Sequence, residues 1–463
     1  MSSLQKTLSP IDGSVYVERH HATQSEIEAA QNLAKQAQTQ WRNTSLAERQ
    51  AICRKAVNAF TSKRDDIAKE LSWQMGRPIR YAAGEVNGFE ERASHMIDIA
   101  EEALATLQLQ EKTGFNRYIK KVPVGVVFVV APWNYPYLTA INAIMPAILA
   151  GNSVILKHSA QTPLCAERIA EAFNAAGLPE GVFQYLHMTH DDTEALIQSP
   201  GINYVAFTGS VPGGAMVERA AAGRFIGVGL ELGGKDPAYV REDADLNHAV
   251  ETTIDGAFFN SGQSCCGIER IYVHEAVYEQ FVEQAVALVK QYKLGRSDDD
   301  ETTLGPVVRA SAAEFVRGQV EDAITQGATA HIDAADFPMD KVGSAYLAPQ
   351  VLTNVNHNMR VMTEESFGPV VGIQKVSSDA EAIELMNDSE FGLTASIFTQ
   401  DIDTGVTLGE QVNTGTFFVN RCDYLDPALA WTGVKNSGRG CTLSKLGFDA
   451  FVRPKSFHIK TEL

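Results

Sequence analysis

Strand-sized apolar runs recur through this chain, each followed by a stretch of helical periodicity, and that alternation constrains the fold more than any other feature. The run at 124–131 (VGVVFVVA) has no charged or amide-bearing residue. A strand of that kind is buried on both faces, as in a parallel sheet. The alternation continues with a strand at 153–157 (SVILK), a helix at 162–176, strands at 182–186 and 203–207, a helix at 213–222 and a strand at 225–232. Strands separated by helices of a dozen residues predict βαβ units. A second series follows Gly234, with a helix at 276–292 and strands at 370–376, 395–398 and 415–419. Before these, residues 25–109 read as helical, with apolar residues at helical spacing through 27–41, 46–60 and 67–73. Two distant segments, 115–122 (FNRYIKKV) and 451–459 (FVRPKSFHI), alternate as half-buried strands do and are expected to pair. An exposed sheet edge of that kind is a common place for subunits to join.

At 463 residues the chain has room for two or three domains, each with its own core. Acidic residues outnumber basic ones, 57 to 39, for a net charge of −18. That field repels phosphate backbones and anionic headgroups, so neither nucleic acid nor a membrane surface is an expected partner. The cysteines are Cys53, Cys165, Cys265, Cys266, Cys422 and Cys441, too few for a disulfide framework and without a CxxC pair. With no signal-like start and no apolar run of about 18 residues, the expected compartment is the reducing cytoplasm.

Five places carry residues suited to chemistry. Cys265 lies in the polar, glycine-rich FFNSGQSCCGIER, the setting of a thiol presented on a loop; most free cysteines are simply small buried hydrophobes, and Cys266 is read as packing. Glu231 ends an apolar strand in GVGLELGGKD, where burial would raise its pKa toward that of a general base; a strand-end glutamate can equally reach solvent. Asn134, in APWNYP, can donate to an oxyanion or serve as a turn residue. FTGSVPGG at 207–214 joins a strand to a helix, and its glycines would let backbone approach a phosphate, although it is not GxGxxG. Lys157, at a strand end, can hydrogen-bond ribose hydroxyls or snorkel to water. The eleven histidines form no ligand constellation, and no metal is expected.

Taken in order, PWN at 132–134, Lys157, FTGS at 207–210, ELGGK at 231–235, GQSC at 262–265 and EESFGPV at 364–370 resemble the NAD(P)-dependent aldehyde dehydrogenase superfamily, from Pro10 to the C-terminus. The resemblance implies an α/β fold in three parts. These are a doubly wound coenzyme domain (1–109 and 124–233), an α/β catalytic domain (234–449) and a small β bridging and oligomerisation element (110–123 and 450–463). It implies that Cys265 is the nucleophile, that Asn134 and the Cys265 backbone N–H hold the oxyanion, and that Glu231 activates the hydrolytic water. Lys157 and Glu365 would bind the two riboses, Gly209 and Ser210 the pyrophosphate, and Phe367 and Trp133 the nicotinamide end of the cleft. A homodimer or homotetramer is implied as well.

Three departures from the pattern matter. Ala160 stands where NAD-preferring members often carry a glutamate, so NADP is admissible beside NAD. SGRGCT at 437–442 puts Cys441 and Thr442 where an arginine and a glutamate usually stand, removing any proton relay through that glutamate. The loop 420–431 places Arg421 near a mouth that Tyr135, Leu138 and Trp431 would line. An aromatic mouth suits a medium-sized apolar or aromatic aldehyde. Arg421, if it faced substrate, would favour a semialdehyde acid such as succinate semialdehyde; a surface ion pair with Asp423 or Asp426 is the other reading, and sugar-derived aldehydes stay open. Glu231 argues against a CoA-acylating relative, and the intact set of Cys265, Glu231, Asn134 and Lys157 argues against a non-catalytic descendant.

Overall fold

The computed structural model of the chain describes residues 3–462. Two parallel sheets dominate it. The first runs, in spatial order, Gly438–Arg439, Gly227–Glu231, Tyr204–Thr208, Val126–Ala131, Ser153–His158 and Phe183–Tyr185. All neighbours are parallel except Gly438–Arg439, which pairs antiparallel with the Glu231 strand. Every residue of Val126–Ala131 and Ser153–His158 is buried, which is why these stretches read as continuous apolar runs. Helices Leu46–Thr61, Ile79–Ala103 and Pro136–Leu149 cover one face through Phe60, Phe89, Tyr137 and Ile144. On the other face, Phe128 and Ile155 pack with Ile27 and Ala34 of Gln24–Trp41. That helix opens with a capping box between Thr23 and Glu26.

The second sheet runs Thr329–Ala330, Gln350–Thr353, Val370–Val376, Ile268–His274, Asp236–Val240, Thr394–Phe398 and Thr416–Val419, parallel except at Thr329–Ala330. Phe115–Pro123 and Val452–Lys460 pair antiparallel over nine residues, and Leu107–Gln108 adds a third strand.

Some boundaries differ from the sequence reading. The helical region ends at Ala103, and Leu107–Gln108 belongs to the small sheet, so that element starts before residue 110. The strand expected from 225 begins at Gly227, because Phe225 is fully exposed and left-handed, at φ 56°. Gly438–Arg439, expected with the second sheet, completes the first. An N-terminal hairpin, Leu4–Leu8 with Val15–His20, was not anticipated. It hooks onto the first sheet where Gln5 and Thr7 donate to the Ala160 carbonyl.

From Val126–Ala131 the chain passes to Ser153–His158 and Phe183–Tyr185 on one side, then returns to Tyr204–Thr208 on the other. That reversal is a topological switch point, and a crevice opens beyond the carboxyl ends of the two central strands. The loops bearing Asn134 and Gly209 leave from those ends.

Candidate active site

Asn134 is fixed from below. Its backbone carbonyl accepts from Arg77 Nη2 at 2.6 Å and from Asn260 Nδ2 at 3.3 Å, and its own Nδ2 donates to the Gln263 carbonyl at 3.3 Å. Arg77 pairs with Glu85, and both are almost wholly buried. Glu85 Oε1 in turn accepts the N–H groups of Tyr137 and Leu138, two of the unsatisfied donors at the start of helix Pro136–Leu149. One buried ion pair therefore holds the PWNYP turn, and through Asn260 it also holds the loop that leads to Cys265.

That loop is tightly wound. After helix Leu246–Phe258, Asn260 and Ser261 both take left-handed backbone, at φ 52° and 58°. Gln263 is buried and secures the turn, donating to the Asn260 carbonyl and accepting from the Val308 N–H. Gly234 passes so close that an added Cβ would lie 2.3 Å from the Cys265 carbonyl oxygen. The glycine pair of ELGGK thus seats the Glu231 strand against the cysteine loop.

Cys265 and Glu231 line one cleft of about 650 Å3, with Tyr135, Leu138 and Trp431 also in its wall. Glu231 ends its strand with both oxygens engaged, Oε2 by Thr208 Oγ1 at 2.9 Å and Oε1 by Thr442 Oγ1 at 2.5 Å. Burial raises its pKa, while the two hydroxyls and the nearby Arg92 pull it back. Thr442 therefore contacts the carboxylate itself. Cys266 is buried, but it does more than pack: its Sγ donates to Asp423 Oδ1 at 3.0 Å, and Ser264 Oγ donates to the same oxygen at 3.1 Å. Asp423 sits buried enough that its carboxyl is pushed up to about 7.

Arg421 does not reach this cleft. It is exposed and its guanidinium stacks over the Tyr424 ring, 3.9 Å from the centroid. The cation that does line the cleft is Arg92, on helix Ile79–Ala103 and only 8% exposed. Its Nη1 donates to the Leu138 carbonyl at 3.1 Å and to Asn142 Oδ1 at 3.3 Å. Asn142 Nδ2, also facing the cleft, is buried without a partner. Neither residue was singled out in the sequence, where Arg92 is one charge among many on a long amphipathic helix.

The residues expected at the coenzyme fall in two groups, Lys157, Gly209 and Ser210 at the strand ends of the first sheet and Trp133, Glu365 and Phe367 around a cavity of their own. Lys157 is 7% exposed, and its ammonium has no hydrogen-bond acceptor or counter-ion among the described residues. A buried ammonium in that state fits a ligand with oxygen acceptors such as ribose hydroxyls. Ser210 caps helix Val211–Ala221, its Oγ accepting from the Gly213 N–H, with Gly209 just before it. Trp133 and Phe367 meet edge to face at 5.6 Å and, with Glu365, line a second, smaller cavity. Glu365 Oε1 accepts from the Gly234 N–H at 3.1 Å; burial, reinforced by the charge of Glu269, pushes its carboxyl up to about 8. Ala160 is exposed and offers no charge. Among the described residues no group of three or more His, Cys, Asp or Glu side chains could hold a metal ion, and no helix is long and apolar enough to cross a membrane.

Two parallel sheets, with the Cys265 thiol and the buried Glu231 carboxylate lining one cleft and the Asn134 amide fixed in the turn just before Tyr135 of its wall, form the α/β architecture of an enzyme. Residues 2–457 match the model of the aldehyde dehydrogenase family, and the chain belongs to that family. Among its relatives are a succinate semialdehyde dehydrogenase [NAD(P)+] of Escherichia coli, 35% identical over 92% of this chain and 91% of that one, and a succinate-semialdehyde dehydrogenase [NADP(+)] of Mycobacterium avium, 33% identical over 98% and 96%. The solved structure of succinic semialdehyde dehydrogenase from Streptococcus pyogenes in complex with NADP+ superimposes with a TM-score of 0.94, at 30% identity, over 98% of this chain and 100% of that one.

Proposed function

We propose that the chain oxidises a semialdehyde acid, an aldehyde with a distal carboxylate, to the dicarboxylic acid with reduction of NAD or NADP. The observation that carries the substrate class is the pair of buried donors at the cleft. Among the described residues Asn142 Nδ2 has no partner, and Arg92 donates through Nη1 alone. Donors of this kind favour an anionic acceptor on the ligand, and a carboxylate matches a guanidinium. The substrates named for the E. coli, M. avium and S. pyogenes relatives agree with this reading. A medium-sized apolar aldehyde, expected from the aromatic mouth, would leave these donors unsatisfied.

In this mechanism the Cys265 thiolate attacks the aldehyde carbon and forms a thiohemiacetal. The oxyanion falls to the Asn134 amide, which has a second N–H to give, and to the Cys265 backbone N–H, which has no acceptor among the described residues. Lys157, Gly209, Ser210, Glu365, Phe367 and Trp133 would hold NAD(P), which would supply the hydride acceptor. Glu231 takes a proton from water, the hydroxide adds to the resulting thioester, and the acid leaves with the Cys265 thiolate restored. A buried carboxylate in the cleft favours release to water over release to a second thiol. Ala160 places no negative charge against a 2′-phosphate, so either coenzyme is accommodated. The six cysteines are all free thiols, which suits a reducing cytoplasm.

The test is reduced-coenzyme absorbance across a panel of aldehydes, with NAD and with NADP, for the wild type, Cys265→Ala and Arg92→Met. Turnover should vanish in Cys265→Ala. Arg92→Met should raise KM for succinate semialdehyde about tenfold or more while leaving butanal nearly unaffected, the loss of one charged hydrogen-bond pair. A panel led by apolar aldehydes, with equal effects of Arg92→Met on both substrates, would discard the carboxylate reading.

A further inference from the structure

One buried carboxylate has no part in the mechanism above. Glu269, near the start of strand Ile268–His274, is 4% exposed. Its Oε1 accepts from the backbone N–H groups of Ser366 at 3.1 Å and Phe367 at 2.9 Å; Oε2 accepts from the Ser366 N–H at 2.8 Å and from the Lys235 ammonium. Lys235, 1% exposed, also donates to Ser366 Oγ at 3.1 Å. These donors belong to the ELGGK loop or to the 365–367 turn. The turn needs the help, since Phe367 is left-handed at φ 54°, a conformation that strains a side-chain-bearing residue. Two successive N–H groups aimed at one anion form the kind of backbone nest that stabilises such a turn. The Glu365 side chain makes one hydrogen bond among the described residues, so its direction is inherited from that turn.

We infer that Glu269 is a positioning residue for the coenzyme: it fixes the 365–367 turn so that Glu365 and Phe367 are presented to the ribose and the nicotinamide. This rests on the NAD(P) reading above. It goes beyond a structural ion pair in that it predicts loss of coenzyme affinity in a protein that is still folded.

Glu269→Gln alone leaves Lys235 buried without a counter-ion, which endangers folding. The neutral pair Lys235→Met/Glu269→Gln avoids that, and Glu269→Asp keeps the charge while shortening the reach. In the folded, coenzyme-free double variant, hydrogen exchange at the Ser366 and Phe367 amides should quicken. NAD(P) affinity, read by quenching of tryptophan fluorescence, should weaken about tenfold or more, as expected for loss of hydrogen bonds to a charged group. KM for coenzyme should rise more than KM for aldehyde, and Glu269→Asp should recover part of the affinity. Coenzyme binding within twofold of the wild type in the folded double variant would overturn the inference, as would weakened binding with unchanged exchange at both amides. A wild type that binds neither NAD nor NADP would instead overturn the coenzyme reading and this inference with it.

Discussion

Glu231 is held by hydroxyls from two places far apart in sequence, Thr208 and Thr442, and its protonation governs the proposed hydrolysis. Burial raises its pKa and hydrogen bonds to the ionised form lower it. Hydrolysis needs the ionised base, so kcat should fall as pH drops through that raised value. Thr442→Val removes one stabilising donor, and its acidic limb in a kcat–pH profile should move to higher pH; an unmoved limb would free Thr442 of this role. Glu231→Gln should give a single burst of reduced coenzyme without turnover, whereas full steady turnover would exclude the residue as the base. Gly234→Ala forces a methyl toward the Cys265 carbonyl, so kcat should drop by about a hundredfold in a protein that still folds. A normal kcat in that variant would mean the loop has slack. At this scale the motif residues stand out in the sequence because each lies beside a turn or strand end, and the structure places them at such turns and ends. Arg92 was not readable. Only packing decides which charge on a long helix turns inward, and the arginine that did stand out, Arg421, is exposed and stacks on Tyr424 of the cleft wall without lining the cleft itself.

Strands buried on both faces were the most legible elements, because a run such as VVFVVA has no other way to satisfy its surface. The pairing of Phe115–Pro123 with Val452–Lys460 was also legible from period-two alternation. Leu107–Gln108, Gly438–Arg439 and the N-terminal hairpin were not, since strands of two residues leave no periodicity and the hairpin is mostly exposed. The three-stranded sheet has exposed Leu107 and Ile459 on its outer strands, 60% and 42% exposed. We propose that it joins subunits into a homodimer or homotetramer. Truncation should begin after Phe451, because Phe451 itself is buried and its carbonyl accepts from Asn152 and from the Val124 N–H. Light scattering on that truncation should show a smaller assembly than the full chain; an unchanged mass would place the interface elsewhere.

Across the whole molecule, the two sheets are tied at the cleft by Arg77 and Glu85, which join the Asn134 turn to the Asn260 loop. Arg77→Met strands a buried carboxylate and should cost about 3–5 kcal/mol in denaturant unfolding, with much of it regained in Arg77→Met/Glu85→Gln. Equal stability of the single and double variants would deny the pair that role. Neither partner was legible in the sequence, since Arg77 just before the helix and Glu85 within it look like any two charges until the chain is folded. The antiparallel partner of the Glu231 strand has a different consequence. Gly438–Arg439 and Thr442 lie far along the chain from Glu231, Thr442 by 211 positions, so Oε1 of the carboxylate gains its donor only when that distant segment has folded back onto the strand. Pairings across such separations form late. The thiol loop waits on late residues as well, since Ser264 and Cys266 both donate to Asp423, so neither wall of the cleft is finished before residues past 420 have folded onto it.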